Sequence, residues 1–112
     1  MNQVVHRFKA EFFKTLAHPV RLAILEHLRS GEKSVNELQV LLGADQSTVS
    51  QQLARLRAGN LVDTRKEGTT VYYMIRDPLV FDLMDVAREI FNRQLISHQA
   101  LLRQVSEEVP LP

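Results

Sequence analysis

The sequence predicts a mainly α-helical domain carrying one β-hairpin. Three observations predict it. Apolar residues recur at helical spacing over most of the chain, glycine or proline turns close those stretches, and one β-branched and aromatic run follows a glycine turn at Gly68. A chain of 112 residues has room for one core. A single domain is therefore expected over residues 1–108, with Val109-Pro110-Leu111-Pro112 as a flexible tail. The hydrophobic fraction of 45% fits a globular chain and is too high for a disordered one. With no cysteine, disulfides, thiolate metal sites and cysteine redox switches are excluded together. No apolar run approaches the ~20 residues that span a bilayer, and the first residues lack a signal-peptide stretch. A soluble, cytoplasmic protein with no membrane partner is expected.

The first helix is expected over roughly Val5 to Ala17, with Phe8, Phe12, Phe13 and Leu16 on one face. His18-Pro19 breaks it, because proline disfavours a helical residue before it and suits a first helical turn. A second helix follows from Pro19 to about Leu28, with Val20, Ile24, Leu25 and Leu28 inward, and ends at Ser30-Gly31-Glu32. Ser34 followed by Glu37 is a capping box that opens a third helix, in which Val35, Leu38, Leu41 and Leu42 face the core. Gly43 stops it, and Asp45 is a cap for a fourth helix over Gln46 to Ala58. Two short helices joined by a tight glycine turn are the sequence form of a helix-turn-helix.

The fourth helix turns Val49, Leu53 and Leu56 to one side and Ser47, Ser50, Gln51 and Arg55 to the other. Its first turns, including Gln46, Thr48 and Gln52, hold hydroxyls and amides with no acid. Such groups donate to and accept from base edges without repelling phosphates, whereas an ordinary solvated face is rich in Glu and Lys. Behind it, Leu61 to Lys66 and Thr70 to Ile75 form a hairpin around Glu67-Gly68-Thr69. Arg65, Lys66, Thr69 and Thr70 lie near its tip, where they could meet a phosphate backbone or a minor groove. A basic hairpin directly behind a helix-turn-helix is a wing, so the fold class is a winged helix-turn-helix.

Asp77-Pro78 opens a last helix reaching about Val105, with Phe81, Met84, Ala87, Phe91, Leu95 and Leu102 at intervals of three, four and seven. At about 40 Å it is longer than a small domain is wide, so part of its apolar stripe needs a partner. The simplest partner is a second copy, with dimerisation through the first and last helices. Charge divides along the chain. Residues 1–76 hold eleven basic and seven acidic side chains, a balance of +4, and residues 77–112 hold three and six, a balance of −3. That split suggests that only the first part faces a polyanion.

The order of elements and three stretches resemble the ArsR/SmtB family of bacterial winged-helix repressors. The stretches are Leu16-Ala17-His18-Pro19-Val20-Arg21-Leu22-Ala23-Ile24-Leu25, the run from Gln46-Ser47-Thr48-Val49-Ser50-Gln51-Gln52 to Gly59-Asn60-Leu61-Val62, and Arg65-Lys66-Glu67-Gly68-Thr69-Thr70-Val71-Tyr72-Tyr73. The resemblance implies a homodimer on double-stranded DNA, each subunit placing its fourth helix in a major groove of a palindromic operator. Gln46, Ser47, Ser50 and Gln51 then stand at base-reading positions. It does not fix an inducer. Where many relatives carry Glu-Leu-Cys-Val-Cys, this chain has Glu37-Leu38-Gln39-Val40-Leu41. Where another subgroup binds ions through Asp-x-His and a later His-x-x-Glu or His, Asp85 and His98 match while Ala87 and Leu101 do not.

No cofactor is therefore required, and a nickel or zinc effector at a non-standard site built on Asp85 and His98 stands as an alternative. His6, His18, His27 and His98 are scattered and read as structural. A winged-helix module that binds protein is a further alternative, which an acidic or apolar fourth-helix face would have favoured. No glycine-rich phosphate loop, nucleophile elbow or convergent carboxylate pair points to an enzyme. Asp82, Asp85 and Glu89 share a face of the last helix and read as solvated, with Arg93 partnering Glu89.

Overall fold

The computed structural model describes residues 3–108, so the expected tail at 109–112 lies outside the described residues. The chain divides into two compact units, one through Pro78 and one from Leu79.

The first unit holds four helices and a small sheet. Helix α1 spans Gln3–Leu16, α2 Pro19–His27, α3 Val35–Leu42 and α4 Gln46–Ala58. A 3₁₀ turn over Leu28–Ser30 closes α2, so the expected last turn of that helix tightens instead of continuing. The core is a set of aliphatic side chains that these elements turn inward: Leu16, Ile24, Leu25, Leu28, Leu38, Val49, Leu53, Leu56, Leu61 and Val62 are all buried. One expected core position is exposed, and the shared face of α1 is mostly uncovered. Leu41 is exposed on α3, because a helix of eight residues presents one narrow stripe and Leu38 occupies it. On α1 only Leu16 is buried; Phe12 is partly covered, and Phe8 and Phe13 are exposed.

Caps set the helix boundaries. His18 Nδ1 accepts the Val20 N–H at 3.1 Å and caps α2, which gives that histidine its structural role. Ser34 Oγ accepts from Glu37 N–H while the Glu37 carboxylate accepts from Ser34 N–H, both at 3.1 Å, so the capping box is complete. Gly43 ends α3 at φ 63°, the left-handed conformation that glycine adopts without a Cβ penalty.

The hairpin forms as expected, but it belongs to a three-stranded antiparallel sheet. Strand β1, Lys33–Ser34, pairs with β3, Thr70–Ile75, which also pairs with β2, Val62–Glu67. Lys33 lies opposite Tyr73 and Ser34 opposite Tyr72. Ser34 is thus the last residue of the outer strand and the cap of α3.

The second unit is helix α5, Leu79–Glu108, of 30 residues and so about 45 Å long. Ala87, Phe91, Leu95 and Leu102 of the expected stripe are exposed, as are Val86, Ile90 and Ile96. Arg93 Nε donates to Glu89 Oε1 at 3.2 Å, the expected pair one turn apart. No helix among the described residues is long and apolar enough to cross a membrane.

Candidate nucleic-acid interface

Helix α4 is held by its buried face and by its two ends. Val49, Leu53 and Leu56 are fully buried, which fixes its rotation about its own axis. Asp45 Oδ1 accepts the Thr48 N–H at 2.7 Å at the start. The Thr48 N–H and hydroxyl hold the Asp45 carboxyl below the usual aspartate range. At the far end, Gly59 N–H donates to Arg55 O at 3.0 Å.

This fixing leaves Gln46, Ser47, Gln51 and Arg55 exposed and Ser50 half-buried on the outer side. The face has no acid between Gln46 and Ala58. Two polar residues of the helix are already engaged. Thr48 is half-buried and serves the cap, and Gln52 Oε1 accepts from Arg21 Nη1 at 2.7 Å. Arg55 lies two turns beyond Ser47, where it lines a shallow pocket of about 570 Å³ with Phe8, Glu11 and Phe12 of α1.

Arg21 is a positioning residue that sequence reading did not single out. Its Nε donates to Thr15 O at 2.7 Å and its Nη2 to Lys14 O at 3.4 Å, so it ties the end of α1 to the middle of α4. Gly59 contributes to the same junction by its lack of a side chain. A Cβ there would stand 2.6 Å from Thr15 Cγ2.

The wing brings its two cations to opposite faces of the sheet. Lys66, opposite Val71, is exposed and has no ion pair among the described residues. Thr69 is exposed at the tip and Thr70 is half-buried beside it. Arg65, expected near the tip as a cation open to phosphate, lies two residue pairs back from it, opposite Tyr72. Its guanidinium donates Nη2 to Glu32 Oε1 at 2.5 Å, Nε to Glu32 Oε2 at 3.1 Å and Nη1 to Glu67 Oε2 at 3.1 Å. It also sits 4.9 Å from the centre of the Tyr72 ring. The Arg65 hydrogen bond holds the Glu32 carboxyl below the usual glutamate range. Glu32 was not anticipated as a partner: it is 33 residues away, and no local spacing relates the two.

Asp85 and His98 are both exposed on α5, thirteen positions and so about 20 Å apart along the helix. Among the described residues no three His, Asp or Glu side chains come together to hold a metal ion.

Comparison with known proteins places the chain. A helix-turn-helix domain family matches residues 16–65. The HTH-type transcriptional regulator Rv0081 of Mycobacterium tuberculosis is 40% identical over 105 residues, covering 93% of this chain and 92% of that protein. Its crystal structure superposes with a TM-score of 0.77 at 42% identity, over 84% of this chain and 95% of that one. The biofilm growth-associated repressor of Agrobacterium fabrum is 42% identical over 73% of this chain and 70% of its own length. A homodimeric winged helix-turn-helix DNA-binding domain from Mycobacterium bovis, described as a possible ArsR-family regulator, matches at TM-score 0.74 and 32% identity, over 83% of this chain and 86% of that one. With an acid-free helix presented beside a hairpin wing, and with relatives of this identity over nearly the whole chain, the protein belongs to the ArsR-type winged helix-turn-helix family of DNA-binding transcriptional regulators.

Proposed function

We propose that the protein is a dimeric repressor that binds a pseudo-palindromic operator. The observation that carries this reading is the acid-free outer face of α4, with Gln46, Ser47 and Gln51 exposed at its N-terminal end. In this reading those residues and Ser50 meet base edges in a major groove, where amides and hydroxyls pair with adenine or guanine without repelling phosphate. Thr48 acts by holding the helix N-terminus, and Arg55, Lys66, Thr69 and Thr70 meet the sugar-phosphate backbone.

The dimer rests on the exposed apolar residues of α1 and α5, Phe8 and Phe13 on one and Ile90, Phe91 and Leu95 on the other. Exposed apolar faces of this kind mark interaction surfaces, and a second copy supplies the complement for each. The M. bovis relative, described as homodimeric, supports a dimer. Repression is supported by the Agrobacterium relative, which is named a repressor.

A nickel or zinc effector would need Asp85 of one subunit and His98 of another at one ion. That supplies two ligands where zinc takes four, or three with an open position. Weak binding is expected. A footprint on DNA upstream of the protein's own gene, repeated with nickel and zinc, tests both parts. Protection of two half-sites about one helical turn apart supports the repressor. No protected site would refute it, and loss of protection with submicromolar metal would make the protein a metal sensor.

A further inference from the structure

We propose that Arg65 is a positioning residue that clasps the wing to the start of the helix-turn-helix, and that the wing's backbone-contacting cation is Lys66 alone. The inference rests on the DNA-binding reading of the same surface.

The clasp crosses all three strands of the sheet. Arg65 stands on β2, the Tyr72 ring beneath it on β3, and Glu32 immediately before β1. Two parallel N–H donations to the two oxygens of Glu32 form a forked pair, which fixes orientation as well as distance. Glu67 takes the remaining terminal nitrogen. Three of the five guanidinium N–H donors are thereby used, and two carboxylates outweigh its single charge. A phosphate approaching Arg65 would meet that net negative cluster and would have to displace a forked carboxylate. Lys66 points from the opposite face of the same strand and carries no such burden.

Glu32 is two residues before Ser34, which caps α3. Arg65 therefore links the wing, through a rigid fork, to the segment that opens the helix-turn-helix. The two DNA-facing elements are held at one mutual angle, and loosening that angle costs contacts on both.

The test is duplex affinity against salt for the unmodified protein, Arg65→Gln, Glu32→Gln, the double variant and Lys66→Gln, with amide hydrogen exchange over residues 62–75 in the absence of DNA. A lost phosphate contact lowers the slope of log K against log[salt] by about 0.9. Lys66→Gln removes one such contact from each subunit of the dimer and is expected to lower the slope by about 1.8. Arg65→Gln and Glu32→Gln are each expected to weaken binding by about three- to tenfold with the slope unchanged, and the double variant to be no worse than either. Both single variants should speed exchange along β2 and β3 to the same degree. The inference is overturned if Arg65→Gln lowers the slope by about one contact per subunit, or if Glu32→Gln tightens binding, since removing a competing carboxylate would then have freed a phosphate ligand. Absence of salt-dependent DNA binding in the unmodified protein would overturn the functional reading, and the exchange data would still decide whether the clasp exists.

Discussion

At the scale of single residues, what matters at this surface is which polar groups are already spent. Thr48 and Gln52 are polar residues of α4, yet one serves the cap and the other accepts from Arg21, while Ser47 and Gln51 are exposed. Gln51→Ala or Ser47→Ala is therefore expected to cost about 1–3 kcal/mol on the operator and little on random duplex, measured by competition binding. Equal losses on both would remove the base-reading role. Two carboxyls, Asp45 and Glu32, are held below their usual ranges by hydrogen bonds. A lowered folded value means that each contributes stability above its unfolded value, about 3.9 for Asp and 4.3 for Glu, and loses it as pH falls through the folded value. Thermal melts between pH 6 and pH 2, roughly spanning that window, should fall with acid. Asp45→Asn keeps an acceptor at the cap but has no proton to gain, so its melting temperature should depend less on pH. An unchanged profile would show that the cap carboxylate adds nothing.

At the scale of elements, the fourth helix and the hairpin were legible in the sequence because their signals are local. The Asp45 cap, the Ser34–Glu37 box and the Gly43 stop each act over four residues or fewer, and α4 spans Gln46–Ala58 as read. Strand β1 was not legible. Two residues have no alternation to display, and Lys33-Ser34 is a strand only because β3 lies beside it. The Arg21–Gln52 hydrogen bond and the Arg65–Glu32 fork join residues 31 and 33 positions apart, and no periodicity reports them. Nor does spacing reveal that Gly59 is there for the room it leaves, not for its backbone conformation. Gly59→Ala forces a Cβ against Thr15, and overpacking of this kind costs about 1–3 kcal/mol in urea unfolding. Thr15→Ala removes the two nearest atoms, and the double variant should recover most of the loss. Failure to recover would place the strain elsewhere.

At the scale of the whole molecule, the sequence gives an apolar stripe on each of α1 and α5 but not what covers it, because periodicity identifies a face and not its partner. Phe91 and Leu95 are exposed on α5, and Phe91→Asp is expected to turn a dimer into a monomer in sedimentation at micromolar concentration, with operator affinity falling as the second half-site is lost. A monomeric unmodified protein would sink the dimer outright. The dual position of Ser34 bears on how such a protein could be switched. One residue ends a strand of the wing's sheet and caps the first helix of the pair that presents α4, so wing and helix share a pivot beside the Arg65–Glu32 fork. In the proposed dimer each body would meet DNA like a type block in a printing press, its helix and wing moving together. An effector that releases DNA would then act on the gap between two blocks. A change of a few ångströms in a pitch of about 34 Å puts helix and wing out of register together.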